Sequence, residues 1–284
     1  MMDCMNAFDL TLPPDAIETA AQTLASRRRT GRRGDALPAT CRPTTLGDAL
    51  AVQEAVSTLL TQQAGEQVAG WKCGLPGTDT CVLAPLYAST LYRAAMRAEG
   101  GVEPVAARWP VWDQQGQVKI EPELAFVLGR DLPPRAQPYE ADEVAAAVVS
   151  VHLALELIDN RYLDTATLHF PDRLADGLVN QGLWLGPAIT LAEGRNAQVL
   201  DIEICADGQP LLSQRGTHPA GAPLRPLCWL AEFLRTRDQG LQAGQVVITG
   251  SYIAAPWVPV GPLLQLRFGH LGTATLRFQA RSRS

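Results

Sequence analysis

Two acidic residues, separated by a single residue in a strand-like apolar segment, are the strongest chemical feature of the sequence. In a β-strand, Glu121 and Glu123 share one face, while Ile120 and Pro122 point to the opposite face, which is apolar enough to be core. Two neighbouring carboxylates with little hydration stay ionised only when a cation offsets their repulsion. Oxygen ligands favour a hard cation such as Mg²⁺ or Mn²⁺ over zinc. The alternative is an edge strand with solvated glutamates, marked by Pro122.

Lysine is rare in this chain and therefore informative. Of the 24 basic residues, all but Lys72 and Lys119 are arginine. Lys119 follows a turn at 113–116, and the sequence gives it no evident role. Lys72 lies in the apolar, glycine-flanked segment 68–75. A desolvated lysine can release a proton and an arginine cannot, so this placement indicates an acid/base role. The alternative is a lysine that extends along its strand to the surface.

A third carboxylate completes a possible metal site. Glu156 lies in an apolar run, and as part of a strand it shares a face with Ala154 and Ile158. Three protein oxygens leave the other octahedral positions to water or to a chelating substrate. His152 is on the same face, but a hydrogen-bonded core histidine is commoner than a histidine ligand. We therefore expect a site made of three glutamates.

The elements that must position these residues divide the chain in two. Apolar periodicity predicts helices at about 13–29 and 46–63, and short β-like segments dominate after residue 65. We expect a helical N-terminal segment, 1–65, and a β-rich catalytic domain, 66–284, giving an α+β, mainly β fold. Two further helices are expected at about 140–148 and 224–235. The expected strands are 67–75, 102–108, 118–128, 151–159, 182–188, 198–206, 245–251 and 271–279.

Composition limits the classes of partner. A net charge of −5 argues against nucleic acid. The basic cluster 27–33 is expected to close the first helix, where cations suit the helix dipole, with a nucleic-acid arm as the alternative. No apolar run is long enough to span a bilayer, and the N-terminus lacks the pattern of a signal peptide. The six cysteines have no zinc spacing, so we expect a reduced, cytoplasmic protein without a membrane partner.

Six short motifs occur in order between about residues 68 and 278. They are 70–75 (GWKCGL), 121–126 (EPELAF), 154–161 (ALELIDNR), 227–231 (LCWLA), 247–251 (VITGS) and 270–274 (HLGTA). In this order they resemble motifs of the fumarylacetoacetate hydrolase superfamily. Within it they resemble the branch of 2-keto-4-pentenoate hydratases and 4-oxalocrotonate decarboxylases.

The resemblance implies a fold and a set of roles. The fold would be the mixed β-roll or sandwich of the superfamily's C-terminal domain, behind the helical segment, in a homo-oligomer. Lys72 would be the acid/base residue, and Glu121, Glu123 and Glu156 would bind Mg²⁺ or Mn²⁺. The substrate would be a small 2-keto or 2-enol carboxylate that chelates the cation. Four further residues from or near these motifs are expected to contact the substrate: Asp159, Arg161, Asp176 and Ser251.

The implied chemistry favours a hydratase. Lys72, its pKa lowered by desolvation and the nearby cation, would move a proton or activate water for addition to a 2-hydroxy-2,4-dienoate or 2-keto-4-enoate. The product would be a 4-hydroxy-2-oxo acid. A decarboxylase of the 4-oxalocrotonate type needs the same electron sink without water attack. A C–C hydrolase of acylpyruvates is a further alternative, but it needs a base such as a Glu–His pair, for which the sequence offers no clear candidate.

Three stretches depart from the branch pattern. An acidic pair expected after the lysine motif is replaced by the acid-free stretch 86–91 (LYASTL). A D-N-A-S motif is replaced by 176–179 (DGLV), with Asn180 further on, and a P-G-D motif by 260–262 (VGP). These changes leave the substrate open. They also motivate a last alternative, a non-catalytic paralogue that serves as a binding or assembly subunit.

Overall fold

The computed structural model describes residues 8–93 and 108–282. Two long helices precede the first strand, and four shorter helices lie between later strands. The helices are α1 (Pro14–Thr30), α2 (Leu46–Ala64), α3 (Ala141–Ala147), α4 (Phe170–Ala175), α5 (Leu191–Asn196) and α6 (Arg225–Arg235). The helices expected from apolar periodicity agree with α1, α2, α3 and α6 to within about two residues.

The described strands form two sheets. The strands are β1 (Val68–Cys73), β2 (Leu83–Tyr87), β3 (Leu91–Arg93), β4 (Arg108–Val111), β5 (Gln117–Leu128), β6 (Val148–Ile158), β7 (Asn180–Ile189), β8 (Val199–Ala206), β9 (Gln209–Thr217), β10 (Val246–Ile248), β11 (Trp257–Pro259), β12 (Leu263–Phe268) and β13 (Thr273–Ala280). The larger sheet has the order β2-β1-β10-β5-β6-β7-β3, with β11 also paired to β5. The smaller has the order β4-β13-β12-β8-β9. The expected α+β, mainly β fold is confirmed.

Strand β5 lies in the interior of the larger sheet. It pairs antiparallel with β6 along its length, and with β10 and β11 on its other side. The alternative of a solvated edge strand marked by Pro122 is therefore wrong. Pro122 has no N–H to donate, but its carbonyl accepts a hydrogen bond from the Tyr252 amide at 3.2 Å. Ile120 and Leu124 are fully buried, as their expected core face requires.

Local sequence accounts for several boundaries. The hairpin between β8 and β9 turns at Asp207 and Gly208, both with positive φ, which is the conformation that an Asp-Gly turn favours. Helix α2 begins after Thr45, whose hydroxyl accepts the Asp48 amide at 3.0 Å. The strand expected at 102–108 lies outside the described residues, apart from Arg108 at the start of β4.

The N-terminal helices pack against the β-rich part through one continuous apolar core. Buried residues of α1 and α2, such as Leu24 and Val52, belong to the same cluster as Ile120 and Phe278. The buried Asp48 carboxylate accepts hydrogen bonds from Thr11 and Leu12, which fixes the segment before α1. The boundary at residue 65 between two domains stays a prediction. In the described ranges, no helix is long and apolar enough to cross a membrane.

Candidate metal and acid/base site

Strand pairing brings the three glutamates together. Glu121 on β5 lies directly opposite Glu156 on β6, and Glu123 lies opposite Ala154. One carboxylate oxygen from each glutamate can be chosen so that all three lie within 4.8 Å of one another. The grouping follows from the two-residue period of the strands, because it puts Glu121 and Glu123 on one face and their register partner Glu156 beside them.

Lys72 reaches the same cluster from β1. Its Nζ atom lies 2.9 Å from Glu156 Oε1 and 3.8 Å from Glu121 Oε2, and it donates to the Leu178 carbonyl at 3.4 Å. The Lys72 side chain is 12% exposed, so it does not extend to the surface as the alternative required. The structure therefore places one ammonium and three carboxylates, from three strands, in a single site.

Burial and like charge set the electrostatics of the glutamates. Burial raises the pKa of Glu121 to about 7, with Lys72 opposing and Glu156 reinforcing the shift. Burial, together with Glu156 and Glu121, raises the pKa of Glu123 well above its usual value. The protein groups by themselves therefore disfavour the fully ionised triad.

The direction of the Lys72 pKa differs from the expectation. Burial lowers the pKa of Lys72, but the charges of Glu156, Glu121 and Glu123 outweigh burial and raise it above its ordinary value. The expectation that the pKa of Lys72 is lowered is therefore wrong when only the protein's own groups act on it. Desolvation is present, but three carboxylates within reach stabilise the ammonium more than burial destabilises it.

The donor set fits a hard divalent cation. Glu156 Oε2 is buried and has no hydrogen-bond partner among the described residues, although a buried carboxylate oxygen usually has one. Its other oxygen, Oε1, already accepts from Lys72 and Asn180. A cation held by three carboxylates would satisfy Oε2 and offset the repulsion within the triad.

Two residues that the sequence analysis did not assign hold the glutamates in place. Asn180 Nδ2 donates to Glu156 Oε1 at 2.8 Å, and the Gly250 amide donates to Glu123 Oε2 at 2.7 Å. Gly250 has φ +132°, and a Cβ there would lie 2.7 Å from Pro219 Cγ, so a side chain is excluded. The glycine of the VITGS motif could have identified Gly250 from the sequence. No motif of the branch identifies Asn180, because the stretch before it departs from the branch pattern.

The segment before Asn180 is conformationally unusual. Gly177, Leu178 and Val179 all have positive φ, between 50° and 67°. This conformation is costly for Leu178 and Val179. It directs the Leu178 carbonyl to Lys72 and ends at Asn180, so the strained turn contributes two contacts to the site.

Three of the four expected substrate contacts form a buried network with each other. Arg161 donates to the Asp176 carboxylate at 2.6 Å and to the Asp159 carbonyl at 2.8 Å. Asp159 also forms an ion pair with Arg33. Burial raises the pKa of Asp176, and Arg161 and Arg28 oppose this shift. These partners give the network a role in holding the 176–180 turn, and a contact with substrate stays a prediction.

Ser251 and His152 are also engaged by protein groups. Ser251 Oγ is within hydrogen-bond distance of the Ile253 carbonyl at 2.8 Å, and its contact with substrate also stays a prediction. His152 hydrogen-bonds to the Gly186 carbonyl at 2.8 Å and to Ser150 at 3.0 Å. His152 is thus a hydrogen-bonded histidine beside the site, as expected, and the carboxylate group does not include it.

The acid-free stretch 86–91 contributes to the packing of the N-terminal helices. Tyr87 is buried, its hydroxyl lies 2.8 Å from Ser57 on α2, and the Arg28 guanidinium stacks over its ring at 5.2 Å. Burial lowers the pKa of Arg28 to about 10, with Arg161 adding to this shift. The basic cluster therefore ends α1, as expected, and its arginines also fasten that helix to the β-rich part.

The fold and the site together define an α+β protein with a carboxylate site for a divalent cation and a lysine beside it. The sequence family described as Fumarylacetoacetate (FAA) hydrolase C-terminal matches residues 85–279. The chain belongs to this family. The resemblance inferred from the six motifs is confirmed.

Related proteins are similar over most of the chain. It is 30% identical over 231 residues to 2-keto-4-pentenoate hydratase 1 of Dechloromonas aromatica, covering 78% of each chain. It is 25% identical over 277 residues to the 2-keto-4-pentenoate hydratase of Paraburkholderia xenovorans, covering 95% of this chain and 97% of the relative. The structure of 4-oxalocrotonate decarboxylase from Pseudomonas putida G7, complexed with magnesium and adipate, superposes with a TM-score of 0.75 at 22% identity. It covers 95% of this chain and 100% of that chain. At 22% identity this structural likeness shows a shared fold and nothing about the reaction.

Proposed function

We propose that the protein is a lyase dependent on Mg²⁺ or Mn²⁺ that hydrates a 2-hydroxy-2,4-dienoate or 2-keto-4-enoate to a 4-hydroxy-2-oxo acid. The observation that carries the proposal is the grouping of Glu121, Glu123 and Glu156 within 4.8 Å, with the Lys72 ammonium 2.9 Å from Glu156. This grouping combines a site for a hard cation with a proton donor, the two elements that such a hydration needs.

The glutamates and Lys72 would have different roles in this reaction. Glu121, Glu123 and Glu156 would hold the cation, which when bound supplies a positive charge that stabilises a developing enolate. Lys72 lies beside the triad and would transfer a proton to or from the bound 2-oxo acid. The Leu178 carbonyl and Glu156 fix the position of its ammonium. Burial of Glu123 and Glu156 excludes water from the inner side of the site.

The names of the relatives support a hydratase. Two proteins with 25% and 30% identity over most of their length are named 2-keto-4-pentenoate hydratases. A relative named 4-oxalocrotonate decarboxylase, 29% identical over 161 residues, supports a decarboxylase as the second candidate. A homo-oligomer is part of the proposal and rests on the family resemblance, and a cytoplasmic location is part of it and rests on the cysteine pattern.

An ultraviolet assay separates these reactions. The purified protein is offered 2-hydroxydienoates and acylpyruvates with Mg²⁺ or Mn²⁺, and again with EDTA. We expect metal-dependent loss of the dienol absorbance with formation of a 4-hydroxy-2-oxo acid. Release of CO₂ would instead identify a decarboxylase, and cleavage of an acylpyruvate a hydrolase. A protein that binds Mn²⁺ but turns over none of these substrates would be a non-catalytic paralogue, and the lyase proposal would be rejected.

A further inference from the structure

The face of β5 that carries the metal-binding glutamates becomes more exposed toward its N-terminal end. Glu123 is 2% exposed, and the Glu121 side chain is 26% exposed. Lys119 follows on the same face and is half-buried, and Gln117 beyond it is exposed. Among the described residues, the site therefore opens to solvent at this end of β5. Lys119 lies at the opening.

The surroundings of Lys119 differ from those of an ordinary surface lysine. Trp257 on β11 and Ile158 on β6 are its direct partners on either side, and its ammonium lies 5.2 Å from the centre of the Trp257 ring. This aromatic contact holds the side chain in place. No carboxylate of the described chain lies within 4.0 Å of the ammonium, in contrast to Lys72.

Two other cations near this end of the strand, Arg33 and Arg281, are engaged by protein groups. Arg33 is paired with Asp159. Arg281 donates to the Tyr92 hydroxyl at 3.0 Å and to the Pro110 carbonyl at 3.2 Å. Lys119 differs from these two arginines, because its charge is directed to the Trp257 ring and, among the described residues, to no carboxylate within 4.0 Å.

From this placement we infer that the substrate is a 2-oxo acid with a second carboxylate at its far end, and that Lys119 binds that carboxylate. The inference rests on the proposed function for the site of the 2-oxo group. A substrate anchored at the triad and extending toward solvent passes Lys119, and a terminal carboxylate there would form a direct ion pair with its ammonium. Lys119 thus acts as a specificity residue.

The distances suit a chain of about six or seven carbons. Lys119 and Glu121 are two residues apart, which in a strand is about 7 Å. In a 2-oxo dicarboxylate of six carbons, four carbon–carbon bonds of about 1.5 Å each separate the ketone carbon from the far carboxyl carbon. The flexible four-carbon stem of the lysine covers the remaining variation.

A matched pair of stable ligands tests this inference without requiring turnover. 2-Oxoadipate and 2-oxohexanoate have the same length and differ only in the terminal carboxylate. We expect the Mn²⁺-loaded protein to bind 2-oxoadipate at least tenfold more tightly by calorimetry, the usual scale for a charge-assisted hydrogen bond. In Lys119→Met this preference should fall at least tenfold while 2-oxohexanoate binding changes less than about twofold. Lys119→Arg, which keeps the charge, should retain most of the preference.

The binding experiment distinguishes a wrong role for Lys119 from a wrong proposed function. Equal binding of the two ligands by the unmodified protein, or an equal loss for both in Lys119→Met, would overturn the role of Lys119. Mn²⁺ affinity measured without either ligand shows whether the variant keeps an intact site. Failure of the ultraviolet assay alone would reject the lyase and leave the ligand preference standing.

Discussion

At the scale of single residues, the site depends on charges whose effects oppose each other. Three carboxylates share a buried site with one ammonium, and together they raise the pKa of Lys72 by more than burial lowers it. A bound divalent cation would weaken this attraction, because the carboxylates would then be paired with a stronger charge. The state of Lys72 is therefore linked to occupation of the triad.

Replacing Lys72 separates proton transfer from metal binding. We expect Lys72→Met to lower kcat by about 10²–10⁴-fold, the usual contribution of a general acid or base. Mn²⁺ affinity should be unchanged or higher, because the variant removes a cation that competes for Glu156 and Glu121. Kinetics and Mn²⁺ titration test this. Near-normal turnover would remove Lys72 from the mechanism.

Asn180 should act by orienting Glu156. In Asn180→Leu the 2.8 Å donor to Glu156 Oε1 is lost with little change in volume, and we expect Mn²⁺ affinity to fall about 10–100-fold. Gln181→Met is the matched control, because Gln181 hydrogen-bonds to the Trp112 backbone. Mn²⁺ titration of both variants is the measurement. Equal losses in the two variants would mean that Asn180 has a general structural role.

At the scale of elements, the short connections next to the strands complete the site that the strands position. Strands β5 and β6 place the glutamates, but the loop after β10 supplies the amide for Glu123, and the turn before β7 supplies Leu178 and Asn180. Both connections have positive φ angles. The backbone strain at Leu178 and Val179 therefore lies next to the site, where the surrounding packing must maintain it.

Gly250 tests the loop after β10. We expect Gly250→Ala to lower the free energy of unfolding by about 1–3 kcal/mol and to weaken Mn²⁺ binding, because its Cβ would lie 2.7 Å from Pro219 and move the amide from Glu123. Gly244→Ala is the control, since Gly244 also has positive φ but has open space around it. Denaturant unfolding and Mn²⁺ titration distinguish them. If Gly244→Ala weakened Mn²⁺ binding as much, the specific role of the Gly250 amide would be wrong.

At the scale of the whole molecule, one apolar core joins the helical segment to both sheets, and buried polar residues fix it at several points. His218 is one of these. It is 1% exposed, its Nδ1 accepts the Ala220 amide at 3.2 Å, and its ring meets Tyr252 edge-on. Burial lowers the pKa of His218 to about 4. The folded protein therefore keeps this histidine neutral where an unfolded chain would protonate it.

This difference predicts a loss of stability in mild acid. Below about pH 6.5 the unfolded state binds a proton that folded His218 does not bind until about pH 4, so stability falls as the pH decreases through this range. The loss attributable to His218 should reach about 3 kcal/mol. His218→Asn, measured by urea unfolding at pH 7.5 and 5, should show a smaller decrease than the unmodified protein. The control is His270→Asn, because His270 is exposed. This variant should lose as much stability between pH 7.5 and pH 5 as the unmodified protein. If it instead showed the same reduced loss as His218→Asn, the assignment to His218 would be wrong.

The sequence by itself determined the elements and the chemical identity of the site. Sequence patterns predicted α1, α2, α3, α6 and seven of the thirteen described strands, because amphipathic faces are local properties of the chain. The alternation within β5 and the motif at Glu156 predicted a site of three glutamates, and the family resemblance of the ordered motifs implied that Lys72 belongs with them.

The tertiary structure decided what depends on neighbours distant in sequence. It placed β5 inside the sheet, so Pro122 does not mark an edge, and it reversed the expected direction of the Lys72 pKa. It also showed that Asn180 and the Gly250 amide hold the glutamates, and it is the basis of the role inferred for Lys119. These results share one physical reason: hydrogen bonds, burial and electrostatic fields depend on distances in space, and strand register sets those distances only once the whole sheet is formed.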